Sequence, residues 1–372
     1  IIYMKSLLLF ANLANSPKVR VFYKYSFCIL SLSIIGHFMP EVMGLGTETV
    51  SGILYSSYTL IFLVLILFGK SMLTENPEKL ILKAANNWSI EITPNASKKI
   101  EDFSTILEKN TTVNVTFLPN THISETIETS KKLFESGMNP VPHVSARAIR
   151  DVKELDYFIK NLSETCNVTE VLVIAGSGKK PVGDFHETMQ ILETGVLQNY
   201  NIKNIGVAGH PEGSPDIEND VILDSLKRKY EWSRKNKIPI YIETQFLFDA
   251  EIVLSWEKFV RENGINVPIR VGIPGPATIK TLFQFAKSSG VGASMRIIAK
   301  QAKNISKLFF VQAPDKFIFD LSKGIHNNRN CLIDNLHFYP FGGFKKTAEW
   351  AKALERGNFT LNSNGGFSIH ES

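Results

Sequence analysis

Cysteine is scarce in this 372-residue chain, with only Cys28, Cys166 and Cys331. None stands in a CxxC or Cys/His spacing, which excludes a structural zinc site and a vicinal redox pair and suits a reducing compartment. There is no run of basic residues and no basic stripe interleaved with aromatics, and the net charge is a modest +5, so a nucleic-acid surface is excluded. Neither a GxGxxG fingerprint nor a Walker A loop is present. The nearest approach, Ala175 to Gly183 (AGSGKKPVG), lacks the four residues that a Walker A loop needs between its first glycine and Gly-Lys. The Asn-X-Ser/Thr triplets at Asn95 and Asn167 are incidental in a chain so rich in Asn, Ser and Thr.

The first seventy residues differ from the rest. Val50 to Gly69 carries no charge over about the length needed to cross a bilayer core, which predicts a transmembrane helix. Phe27 to Leu45 is a weaker span, interrupted by His37, Pro40 and Glu41. Lys18, Arg20 and Lys24 precede the pair, Glu41 and Glu48 lie between and Lys70 follows, which predicts a hairpin with both ends in the cytoplasm. The alternative is an upstream extension, with Met72 as the start of the functional chain. Residues 1–71 are therefore expected to be a membrane segment, attached through 27–69, or an extension. Residues 72–357 should form a cytoplasmic catalytic domain, and 358–372 a polar tail too short to fold alone.

From Trp88 onward, short apolar strands alternate with helix-period segments. Strands are expected from Trp88 (WSIEITP), Thr112 (TVNVTFLP), Pro140 (PVPHVSA), Glu170 (EVLVIAGSG), Asn204 (NIGVAGHPEG), Ile240 (IYIETQFLFD), Pro268 (PIRVGIPG) and Asp334 (DNLHFYPFGG). Between them, Ile123 to Gly137 reads as a helix with Ile127, Leu133 and Phe134 on its apolar face and Gly137 as its stop. Eight such units predict an α/β chain folded as a (β/α)8 TIM barrel, with a doubly wound open sheet as the competing arrangement. The stretch Ala277 to Cys331 should hold extra helices.

A barrel of this kind builds its site at the C-terminal ends of its strands. The polar residues there are Glu91, Thr116, His143, Ser177, His210, Gln245 and His337. Glu91, inside an otherwise apolar strand, is either paired with a buried cation or an acid whose pKa burial has raised. His143 and His210, taken singly, fit satisfied core histidines better than ligand-binding ones. Gln245 is an amide near the end of a buried strand and needs a protein partner or a ligand. The basic stretch Leu226 to Trp232 (LKRKYEW) reads as a solvated helix face from which a lysine can reach a phosphate.

The runs WSIEITP, PHVSA, AGHPEGSPD, LKRK, ETQFLFD and HFYPF, in this order, resemble the methylenetetrahydrofolate reductase family along nearly all of the chain after the apolar front end. The resemblance implies an FAD-containing barrel that takes hydride from NADH or NADPH and passes it to 5,10-methylenetetrahydrofolate, giving 5-methyltetrahydrofolate in one-carbon and methionine metabolism. It implies that Glu91 is the general acid that protonates N10, and that Gln245 contacts the folate. It also implies that Thr116, His143, Ser177, His210 and Lys229 stand at flavin-contacting positions, with Lys229 the partner of the pyrophosphate. The chain departs from the family's pattern in two places. Ala175, Gly176 and Ser177 stand where the family usually has Arg-Gly-Asp, and His210 stands where a tyrosine commonly precedes Pro-Glu. These departures keep two alternatives open: a relative that oxidises 5-methyltetrahydrofolate in a demethylation pathway, and a membrane-tethered folate-binding protein. The choice of nicotinamide cofactor and the presence of a homo-oligomer are not legible in the sequence.

Overall fold

The computed structural model describes residues 76–119, 121–176, 180–288, 309–363 and 365–370. The apolar segments within 27–69 lie outside them, and among the described residues no helix is long and apolar enough to cross a membrane. The strands predicted from alternation are present with trimmed ends: β1 (Ser89–Ile92), β2 (Thr112–Val115), β3 (Asn139–Ser145), β4 (Glu170–Ile174), β5 (Asn204–Gly209), β6 (Ile240–Thr244) and β7 (Ile269–Pro274). Two short strands, β8 (Ala277–Thr278) and β9 (Val311–Gln312), precede the last long one, β10 (Ile333–Tyr339). Strands β1 to β7 and β10 form a closed, parallel barrel, in which Ser89 of the first strand is paired with His337 of the last. The open-sheet alternative is thereby excluded.

Alternation along the strands explains the two faces of this barrel. Ile90, Ile92, Val113, Val115, Val171, Val173, Ile205, Val207, Ile240 and Ile242 are buried in the apolar shell beneath the helices. The opposite parity carries Ser89, Glu91, Asn114, His143, Tyr241, Glu243 and His337, all buried although polar. The barrel interior is therefore filled by hydrogen-bonding groups rather than by the branched aliphatic layers usual for the fold. Near the N-terminal ends of the strands, Arg270 reaches Glu170 through two contacts of 2.6 and 3.3 Å, Asn204 donates to the same carboxylate at 2.8 Å, and the guanidinium lies 3.7 Å from the Tyr241 ring centroid. Gly206 makes room for this arrangement: a Cβ there would stand 2.6 Å from the Tyr241 hydroxyl and 2.7 Å from Leu172.

The helices that cover the barrel include α1 (Pro77–Ala84), α2 (Ile123–Glu135), α3 (Val152–Cys166), α4 (Thr188–Glu193), α5 (Asn219–Asn236), α6 (Ala250–Glu262), α7 (Ile279–Ser288), α8 (Asp315–Asn327) and α9 (Phe344–Glu355). Helices α7 and α8 are the extra helices expected between the last two barrel strands, and β8 pairs antiparallel with β9 beside them. Helix α2 corrects one expectation. Its buried face is Thr126, Thr129, Ser130 and Leu133, whereas Phe134 is 40% exposed. The Thr129 and Ser130 hydroxyls donate to carbonyls one turn back, at 2.8 Å each, so small polar side chains bury there with that bond satisfied. Gly137, at φ +82°, ends the helix as expected.

The tail also differs from its expectation. Within 358–372, β11 (Phe359–Leu361) and β12 (Phe367–Ile369) pair antiparallel around a turn in which Gly365 and Gly366 have φ of +82° and +90°. Phe359 and Phe367 join the main core, and Phe367 stacks on Trp350 of α9 at 5.9 Å. Composition over the whole tail concealed two anchors, one on each strand of a hairpin.

Candidate active site

Glu91 stands near the C-terminal end of β1, with its carboxylate nearly enclosed. Thr116, one residue beyond β2, donates its hydroxyl to Glu91 Oε2 at 3.0 Å. His143 of β3 places Nε2 3.4 Å from Oε1, and His337 of β10 places its own Nε2 3.6 Å from the same oxygen. Four of the residues read as candidates from sequence, Glu91, Thr116, His143 and His337, are thus brought together from four strands. Burial pushes the Glu91 carboxyl pKa up, against the opposing pull of His143 and the Thr116 hydroxyl. The His143 imidazole is pushed the other way, mainly by burial, so both partners favour their neutral forms.

Sequence reasoning missed two members of this group. Glu243 of β6 lies behind His337, with Oε2 3.6 Å from its Nδ1, and accepts from Asn114 Nδ2 of β2 at 2.7 Å. Burial raises the Glu243 pKa as well. The signal was available: each is a polar residue on the inward parity of an apolar strand, the criterion that selected Glu91. Glu91, His143 and Glu243 each offer a ligand atom within 4.8 Å of the others. Two carboxyls raised by burial and an imidazole lowered by it are chemically suited to holding and moving protons.

The other candidates stand apart from this cluster. Gln245 lies just beyond β6 on the parity of Glu243, half-buried at the barrel mouth, and its backbone N–H donates to Gly209 O at 3.1 Å. His210, beyond β5, is mostly buried and its pKa is lowered to about 4, first by desolvation and then by Lys229, so it is neutral at physiological pH. A cleft of about 620 Å³ between α5 and α6 opens beside His210, with Asn219, Leu223 and Trp256 among its walls. Lys229 of α5 is buried, and among the described residues its ammonium donates only to Ser225 Oγ, at 2.9 Å. Its pKa falls to about 8, chiefly through desolvation. Ser177 lies outside the described residues. Gly176, just before it, has φ +91°, and a Cβ there would stand 2.2 Å from Ser145 Oγ, so the chain enters that segment through a turn that only glycine fits.

A buried ammonium whose partner is a single hydroxyl is a site for an anion.

The family model for methylenetetrahydrofolate reductase matches residues 82–341, which include every barrel strand. Among curated proteins, Methylenetetrahydrofolate reductase 1 of Schizosaccharomyces pombe is 39% identical over 88 residues, 23% of this chain and 14% of that protein. Methylenetetrahydrofolate reductase 2 of Saccharomyces cerevisiae is 37% identical over 91 residues, 24% of this chain and 14% of the relative. The matched stretches are thus about one-seventh of either relative's length. A solved thermostable aldo-keto reductase aligns with 62% of this chain and 77% of its own at 14% identity and a TM-score of 0.29, a likeness too distant to argue from.

Proposed function

Since the chain belongs to the methylenetetrahydrofolate reductase family, we propose that it reduces 5,10-methylenetetrahydrofolate to 5-methyltetrahydrofolate with NADH or NADPH as the hydride source and FAD as the carrier. The observation that carries this reading is Glu91, a carboxyl at the mouth of the barrel whose pKa burial raises. Thr116, His143, His210 and Lys229, together with Ser177, would hold FAD, with Lys229 against its pyrophosphate. Bound there, FAD would supply hydride transfer from the nicotinamide to the methylene carbon.

The chain's own residues supply the rest. Protonated Glu91 would give its proton to N10 of the folate, opening the five-membered ring to an electrophilic iminium. Thr116, donating to Oε2, fixes the carboxyl rotamer and leaves Oε1 as the working oxygen. Gln245, with a donor and an acceptor on one amide, would hold the edge of the pterin ring. His143 stays neutral, so it adds no positive charge beside the iminium.

The test is an anaerobic absorption spectrum of the purified protein, with NADH and then methylenetetrahydrofolate added. Bleaching by the first and recovery of colour with the second is the expected result. In Glu91→Gln the bleaching should persist while the recovery slows by about 10²-fold or more. A yellow protein that bleaches but never recovers, with the parent residue in place, would leave folate binding without turnover as the better reading.

A further inference from the structure

The mechanism above uses one buried carboxyl, but the barrel holds two, with an imidazole between them. His337 Nε2 faces Glu91 Oε1 at 3.6 Å and its Nδ1 faces Glu243 Oε2 at 3.6 Å. His337 Nε2 and Glu243 Oε2 are both fully buried without a hydrogen-bond partner. Unpartnered buried atoms that each face a titratable group along one line are explained by protons that move along it. The gaps are longer than hydrogen bonds and close by small side-chain rotations, as acid–base contacts do when a ligand fills the site.

We propose that Glu243 is a positioning and proton-storing residue that recharges Glu91 through His337, an inference that rests on the reduction proposed above. After Glu91 gives its proton to N10, its carboxylate takes the Nε2 proton of His337. His337 Nδ1 then takes the proton of Glu243, leaving Glu91 and His337 neutral and the negative charge on Glu243. Glu243 is 3% exposed, so it cannot be refilled from solvent directly; the same path run backwards, from water at the open mouth through Glu91, restores it. Recharging Glu91 while the iminium still occupies the mouth removes the carboxylate that could take the N10 proton back and close the ring again. The second carboxyl therefore favours forward hydride transfer.

Three further observations support this arrangement. Ser89 Oγ lies 2.8 Å from His337 Nδ1, and a hydroxyl can donate to that nitrogen or accept from it, so Nδ1 is satisfied in both tautomers of the ring. Asn114 donates to Glu243 Oε1 at 2.7 Å, which fixes the carboxyl and leaves Oε2 toward the ring. Arg270, the register partner of Glu243 on β7, partly offsets the charge left there. Among the described residues, the other titratable groups against this line include His143 against Glu91, Tyr241 beside Glu243 and the Tyr339 ring edge, 5.0 Å from His337 by centroids. The Tyr339 hydroxyl is pushed well above its ordinary pKa and does not titrate with them.

Glu243→Gln tests the inference, because a glutamine keeps an acceptor for Asn114 and its amide would donate to Nδ1, holding His337 in the Nε2–H tautomer. Imidazole ¹⁵N spectra of the whole protein should show both His337 nitrogens averaged between tautomers in the parent and two distinct, fixed nitrogens in the variant. Recovery of colour with methylenetetrahydrofolate should slow roughly tenfold, while bleaching by NADH is unchanged. Identical ¹⁵N spectra and equal recovery rates overturn the relay. A parent that never turns over the folate instead overturns the proposed function, and the ¹⁵N spectra still decide whether Glu243 and His337 share a proton.

Discussion

At the scale of single residues, the molecule is marked by ionisable groups held away from their solution states. Glu91 and Glu243 have raised pKa values, so their protonated forms contribute stability that is full below about pH 4.5 and is lost as pH rises through the folded values. In the general-acid role proposed for it, Glu91 should lose activity over the same rise. The folate-dependent half-reaction is therefore expected to slow above the Glu91 pKa while the NADH half-reaction stays flat, which a pair of stopped-flow pH profiles checks. Lys229 has the opposite sign. Its pKa of about 8 means that stability is present above the unfolded value of 10.5 and is lost as pH falls through 8, so the charged lysine strains the ligand-free fold at pH 7. Lys229→Met should therefore stabilise the protein without cofactor by on the order of 2–3 kcal/mol and weaken FAD retention, as thermal melting and flavin content after gel filtration would show. Glu91 was legible in sequence because a carboxylate in an apolar strand has few explanations. Glu243 meets the same criterion and was passed over, since Thr244 and Gln245 beside it drew the reading toward the strand's end.

At the scale of elements, the strands were legible and the helix faces less so. Alternation located all eight barrel strands because an inward and an outward side chain cannot exchange without inverting the whole strand. In α2 the apolar count placed Phe134 inside, whereas the hydroxyls of Thr129 and Ser130 satisfy themselves on their own helix and take that face. The C-terminal hairpin was hidden by its composition. Phe367 is 1% exposed and stacked on Trp350, so Phe367→Ala should cost about 3–5 kcal/mol. Urea unfolding would measure this, and a loss under 1 kcal/mol would mean that the hairpin is only loosely docked.

At the scale of the whole molecule, the barrel is an apolar shell around a polar axis. Arg270 and Glu170 at one end and the Glu91 cluster at the other are joined through Tyr241, Glu243 and His337. Arg270→Met strands Glu170 and should destabilise the fold by about 3 kcal/mol, while Glu170→Gln with Arg270→Met together should recover part of that loss. Chemical denaturation of the two variants decides it: equal midpoints would mean that the pair is too well solvated to matter. No sequence period encodes such an axis, because its members are dispersed over several strands and meet only when the strands are arranged in a ring.

Pairing of Ser89 with His337 is what closes that ring. The same contact brings His337 to Glu91, so the acid cluster has no existence in a chain that stops short of the last barrel strand. During synthesis, Glu91 leaves the ribosome nearly 250 residues ahead of His337 and must wait, without its partner, for the end of the barrel to emerge. Loop closure over so long a separation is slow, and the appearance of proton-transfer competence can therefore serve as a clock for completion of the fold.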